Sequence, residues 1–139
     1  QVNLKAAFLL SQAAARLMVK NGKGKIINIA SMLSFQGGIR VASYTAAKSG
    51  MAGITRLMAN ELASKGLNIN AIAPGYMATD LTATMQVDPE RAPAILERIP
   101  AGRWGEPADL MGAVVFLASA ASDYMNGAIV PVDGGWLTR

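Results

Sequence analysis

Three short runs rich in β-branched or apolar residues, Lys25–Ala30, Leu67–Ile72 and Ala128–Val132, each follow a stretch patterned as a helix. Strands separated by long helices cannot pair as tight hairpins. Each crossover carries the chain back across the sheet, which gives parallel strands with helices on the faces. The first run is apolar on both faces, as in an interior parallel strand. Residues 1–20 form the first helix, with Gln1, Lys5, Gln12, Arg16 and Lys20 as a thin polar stripe. Such a stripe predicts burial on several sides. Asn21-Gly22 ends that helix, and residues 31–41 read as a loop around Gly37-Gly38. A second helix runs from about Ser43 to Ser64, with Gly66 just beyond, and Pro74-Gly75 stops the second strand. A short helix falls around Pro89–Arg98; Glu106-Pro107 opens a third long helix, apolar from Leu110 to Ala118. Three strands make only half of the usual sheet of this kind, so residues 1–139 read as the carboxyl-terminal half of one α/β domain.

Composition narrows the chemistry. Hydrophobic residues make up 52% of the chain and charged residues 16%, which excludes a disordered polymer. The absence of cysteine removes disulfides, cysteine zinc sites and thiol nucleophiles. The absence of histidine removes serine–histidine triads and imidazole-ligated metals, and no metal site is expected. The net charge of +4 is spread along the chain. Lys20, Lys23 and Lys25 surround a turn where lysines complement a helix end, so no nucleic-acid partner is expected. The apolar run Leu4–Leu10 is too short for a secretory signal, and no stretch approaches a membrane span. The expectation is a cytoplasmic protein entered mid-chain, since the sequence opens on Gln1 already within a helical pattern.

Acid–base work must then fall to Tyr, Lys, Ser, Thr, Asn and carboxylates. Tyr44 and Lys48 stand at i and i+4 on one helix face. A free tyrosine, titrating near ~10, is a poor acid–base group at neutral pH, and an ammonium one turn away favours its phenolate. Ser31 closes the first strand at its carboxyl end, where open α/β sheets bind ligands. Ser34 is read as an equally exposed hydroxyl without that position. Asn3 lies on the helical line of Ala7, Leu10 and Ala14, so its amide is expected on the apolar side, needing partners. Pro74-Gly75 fixes a turn after the second strand, beyond which the backbone of Met77 and the hydroxyl of Thr79 can meet a ligand. Gly50 and Gly53, unfavourable inside a helix by about 1 kcal/mol each, imply close approach to sheet or to another helix.

Together these words resemble the short-chain dehydrogenase/reductase family. They are Val2-Asn3-Leu4, Asn28-Ile29-Ala30-Ser31, Tyr44-x-x-x-Lys48, Asn70-Ala71-Ile72-Ala73-Pro74-Gly75, Arg103-Trp104-Gly105-Glu106-Pro107 and Val132-Asp133-Gly134-Gly135. The match keeps their order and spacing through the whole chain. It implies a Rossmann-like, doubly wound parallel sheet whose carboxyl-terminal half is present, and a catalytic tetrad of Asn3, Ser31, Tyr44 and Lys48. Tyr44 would move the proton, Ser31 would bond the substrate oxygen, Lys48 would hold the nicotinamide ribose, and Asn3 would bind a relay water. Cofactor contacts would fall on Tyr44, Lys48, Pro74, Gly75, Met77 and Thr79, with NAD as cofactor and NADP also compatible.

Within the family the wording is most similar to enzymes that interconvert keto and hydroxyl groups on deoxy-hexonate sugar acids. Reductases of 3-oxoacyl groups on a carrier protein share the tetrad and are the alternative; a non-catalytic, merely oligomerising fragment is a further one. The resemblance implies a homotetramer for the full-length protein, built on the helices at 1–20 and 43–64. The family's glycine-rich turn after its first strand is absent from these residues. Residues 1–139 alone are therefore expected to be inactive.

Overall fold

The structure, a computed structural model, describes residues 2–139. Its centre is a three-stranded parallel sheet in the order β1 (Gly24–Ile29), β2 (Leu67–Pro74), β3 (Ile129–Val132). Ile26 lies opposite Ile69 in the first ladder, and Ala71 opposite Ile129 in the second. The parallel α/β reading therefore holds.

Alternate residues of β1 and β2 serve different neighbours. Ile26, Leu67 and Ile69 pack with Ala15, Met58 and Ala59 from helices α1 (Ala7–Lys20) and α2 (Ala42–Leu62). Leu67, Ile69 and Ile72 are at most 1% exposed, each burial worth about 1.5–3 kcal/mol. The intervening positions are polar because they secure the chain that returns to β3. Lys25 donates to Asp123 at 2.7 Å, Asn68 to the Met125 carbonyl at 3.0 Å, and the Asn70 carbonyl oxygen accepts from the Ala128 N–H at 2.9 Å. Asn70 is thus a buried side chain with both ends of its amide bonded to backbone.

Gly66 ends the run out of α2 in a left-handed conformation, φ 82°. Its position against the Gly22 carbonyl leaves no room for a Cβ, and its own carbonyl accepts from Gly24 at the start of β1. One residue thus ends a helix and aligns two strands.

Several sequence expectations are corrected. The first helix begins as a π-turn, Val2–Ala6, before α1 proper, and Gln1 lies outside the described residues. Its burial on several sides is not seen. Only Ser11 and Ala15 of α1 are buried, and Leu10 and Leu17 are 72% and 65% exposed. β1, patterned as an interior strand, is an unpaired edge among the described residues, with Ile29 half exposed. The long third helix is a 3₁₀ turn, Pro107–Leu110, followed by only eight residues of α5 (Met111–Ala118). Ser119, extended at ψ 170°, stops it. Between β2 and α5 lie α3 (Ala83–Gln86) and α4 (Arg91–Arg98). Among the described residues no helix is long and apolar enough to cross a membrane.

Candidate active site

The carboxyl end of β1 and the first turns of α2 are cross-linked at Lys48. Its Nζ donates to the Ile29 carbonyl at 2.7 Å and lies 5.6 Å from the centre of the Tyr44 ring. Lys48 is 8% exposed, and burial pushes its ammonium below the ordinary value of 10.5. A cation is thereby held between the strand that leads into Ser31 and the phenol of Tyr44, with N–H donors beyond the one already bonded.

The chain after Ser31 is clasped to the same helix. Ser34 Oγ donates to the Lys48 carbonyl at 2.6 Å, and Ser49 Oγ donates to the Leu33 carbonyl at 3.1 Å. Ser31 Oγ accepts from the Leu33 N–H at 3.2 Å, which leaves its own proton available to an incoming oxygen. Sequence reasoning treated Ser34 as an exposed alternative to Ser31. In fact Ser31 is buried, Ser34 is half-buried, and the Ser34 hydroxyl is spent on the helix backbone. Ser49 was missed, because a serine bonding a distant carbonyl has no sequence signature.

Asn3 lies on the apolar side as expected, but it is exposed. It keeps the line of Ala7, Leu10 and Ala14, all of which border a groove at the free edge of β1, where no strand of the described residues pairs. Lys48 lines the same groove, of about 460 Å³, which is the open side of the edge strand β1. Asn28 in the same groove accepts from Ser11 Oγ at 3.2 Å and donates to Thr55 Oγ1 at 3.0 Å, tying β1 to both helices. Ser31 and Tyr44 do not line this groove; Tyr44 is 37% exposed.

The second loop of the site follows β2. The Gly75 N–H donates to Val132 at 2.9 Å, and a Cβ on Gly75 would stand 2.6 Å from the Asp133 Cα. The turn can approach β3 this closely only with glycine. Beyond it, Gly105 brackets Met77: its N–H donates to Tyr76 at 2.9 Å and its carbonyl accepts from Ala78 at 2.7 Å. In a parallel bridge of this kind the bracketed residue turns its own N–H and C=O to the other side. Met77 therefore presents an adjacent donor and acceptor, although Thr82 Oγ1 already donates to its carbonyl at 2.5 Å. Such a pair matches a carboxamide. Thr79 is exposed and caps the turn Asp80–Thr82, and Pro74 ends β2.

An aromatic wall joins the two loops. Tyr76 meets Trp104 edge-on at 5.5 Å and Trp136 at 4.8 Å between ring centres. Trp136 packs on Met32, the neighbour of Ser31. Arg103 and Asp109 form a double hydrogen bond at 2.7 and 2.9 Å, and the guanidinium holds the Asp109 carboxyl at about 2. This explains why an arginine stands before Trp104: it fixes the segment that brackets Met77.

Comparison with known proteins shows what the chain is similar to. A family profile described as enoyl-(acyl carrier protein) reductase matches residues 1–137. The 2-dehydro-3-deoxy-D-gluconate 5-dehydrogenase of Escherichia coli K12 is 65% identical over 139 residues, covering 99% of this chain and 55% of the relative. The enzyme of that name from Bacillus subtilis 168 is 59% identical over 138 residues, with 99% and 54% covered. An Agrobacterium tumefaciens structure described as a 2-deoxy-D-gluconate 3-dehydrogenase with bound NADP superposes with a TM-score of 0.97 at 62% identity, over 99% of this chain and 56% of its own. A gluconate 5-dehydrogenase from Burkholderia cenocepacia J2315, in complex with NADP and tartrate, has a TM-score of 0.97 at 42% identity, over 99% and 54%. The chain spans about half the length of the curated relatives it matches. On its sequence, its parallel sheet and these likenesses, it belongs to the short-chain dehydrogenase/reductase family.

Proposed function

We propose that residues 1–139 act as the carboxyl-terminal half of a single dehydrogenase domain that exchanges a keto for a hydroxyl group on a deoxy-hexonate sugar acid. The observation that carries this reading is Lys48, bonded to the strand leading into Ser31 and seated beside the Tyr44 ring. The names of the relatives favour a sugar acid over a carrier-bound acyl group. Tartrate in the Burkholderia enzyme is consistent with a site that accepts hydroxy acids.

A nicotinamide cofactor, NAD or NADP, would supply or accept the hydride when bound. In the reductive direction Tyr44 gives its phenolic proton to the carbonyl oxygen, and Ser31 donates a hydrogen bond to the same atom. Lys48 uses its remaining N–H donors on the ribose hydroxyls. Asn3, across the groove from Lys48, holds a water that returns the proton. The turn Pro74-Gly75 and the outward N–H and C=O of Met77 hold the carboxamide, and Thr79 stands nearer the phosphates. In oxidation each transfer runs in reverse.

The exposed Leu17 of α1 and Leu57 of α2 support pairing of these helices between subunits in a cytoplasmic homotetramer. The deciding experiment assays the full-length protein that carries this chain on a panel of keto-hexonates with NADH and NADPH. Oxidation of either reduced cofactor by keto-deoxy-hexonates supports the reading. Turnover only with 3-oxoacyl thioesters would transfer it to the carrier-protein class, and a monomer by sedimentation would remove the tetramer.

A further inference from the structure

We propose that Arg98 is the residue that recognises the substrate carboxylate, and that the Trp136 ring and Gln36 hold it in place; this rests on the sugar-acid reading above. Arg98 closes α4 and is exposed, so its charge is open to a ligand. Its guanidinium lies 4.0 Å from the centre of the Trp136 ring. One of its nitrogens also reaches the Gln36 side-chain oxygen at 3.4 Å, in the loop between Ser31 and Tyr44. A long side chain usually loses rotamer freedom on meeting a ligand; stacking and a tether reduce that loss in advance.

The position suits the task. A substrate whose oxygen meets Tyr44 and whose carbon meets a nicotinamide held at Met77 must lie between those two loops. The wall joining them runs from Tyr76 through Trp136 to Arg98 and on to Gln36. Arg98 ends that wall beside Gln36, in the loop between Ser31 and Tyr44, and the ionised end of a six-carbon acid is assigned to it there.

Its competitors are committed or unanchored. Among the described residues the ion pairs are Lys25–Asp123 and Arg103–Asp109, so Arg98 has no carboxylate of its own. Lys48 serves Ile29, and Arg139 donates to the Glu97 carbonyl at 2.9 Å. Arg40 is exposed in the same loop as Gln36, with no stacking partner among the described residues. A guanidinium can meet a carboxylate with two parallel N–H bonds, a geometry that lysine lacks.

The test uses the full-length protein and two substrates, a deoxy-hexonate and its uncharged C1 amide. Arg98→Gln should raise KM for the acid by about 10- to 100-fold, the worth of a charge-assisted hydrogen bond. It should leave kcat/KM for the amide within about threefold. Arg98→Lys should recover only part of the loss, and Arg40→Gln should change neither substrate's constants materially. Equal losses on acid and amide would overturn the proposal and make Arg98 a structural clamp. An unchanged KM for the acid would overturn it as well. Should Arg98→Gln fail to fold, Arg98→Lys decides alone: acid and amide affected alike would refute it. If wild type turns over no sugar acid, the failure belongs to the functional reading and not to Arg98.

Discussion

Replacing Gly75 by alanine tests how the turn after β2 positions the cofactor loop. Gly75 is not among the residues with positive φ, so the substitution carries no penalty of backbone conformation and its effect is steric. The added methyl would stand 2.6 Å from the Asp133 Cα and 2.9 Å from its Cβ, whereas ordinary contact begins at 3.4 Å. The turn must retreat by about 0.8 Å from backbone that cannot rotate away. The retreat falls on the Gly75 N–H bond to Val132, 2.9 Å long, and is passed to Met77 two residues on. Overpacking of this kind costs about 1–3 kcal/mol in stability. A displacement near 1 Å in a positioning loop can lower turnover by about 10². In the full-length protein, NADPH titration followed by fluorescence should show weaker binding, and kcat/KM should fall by one to two orders of magnitude. Gly112→Ala is the control. Nothing lies within 4 Å of its new methyl, and alanine in that helix should be favourable by up to about 1 kcal/mol. Wild-type cofactor affinity and turnover in Gly75→Ala would refute the argument.

Other consequences follow from charge and edge. Burial lowers the Lys48 ammonium in the folded state, so unfolded chains bind its proton more tightly, and the folding penalty is full below the folded-state value and fades as pH rises from there toward 10.5. The unfolding free energy of Lys48→Met minus wild type should therefore drift in favour of wild type between pH 7 and about 10.5. A flat difference would show that the folded protein pays no such penalty. Asp109 is shifted oppositely, from 3.8 to about 2, so its contribution is complete above pH 3.8 and is lost as pH falls through 2. Denaturation midpoints of Asp109→Asn and wild type should differ at pH 6 and converge near pH 2; a gap that persists at pH 2 would contradict the assignment. Residues 1–139 expressed alone should aggregate and bind no NADH, because β1 is a sheet edge with Ile29 50% exposed. A discrete soluble species with micromolar NADH affinity would refute this.

The strands were legible because period and composition record them locally: the runs at 25–30 and 67–72 stand within two residues of β1 and β2. The Tyr44–Lys48 pair was legible for the same reason, being set by a single helix. Exposure was not. Leu10 and Leu17 announce a face built to be buried, yet periodicity does not say what covers it, and within this chain nothing does. Asn3 keeps the line of Ala7, Leu10 and Ala14 that its spacing gives, but its exposure depends on what covers the free edge of β1, which spacing does not record. The clasp of Ser34 and Ser49 on the loop, and the stack of Arg98 on Trp136, join residues that only tertiary folding brings together. No local pattern could encode them.

The account stands most directly on the proton carried by Tyr44. The decisive measurement is the rate of NAD(P)H oxidation by a keto-deoxy-hexonate in the full-length protein, wild type against Tyr44→Phe. The phenylalanine keeps the ring beside Lys48, whose Nζ lies 5.6 Å from the ring centre, and removes only the hydroxyl. Cofactor binding should persist while kcat falls by about 10²–10⁴, the usual worth of a positioned acid–base group. A kcat within a few-fold of wild type would mean that another group moves the proton.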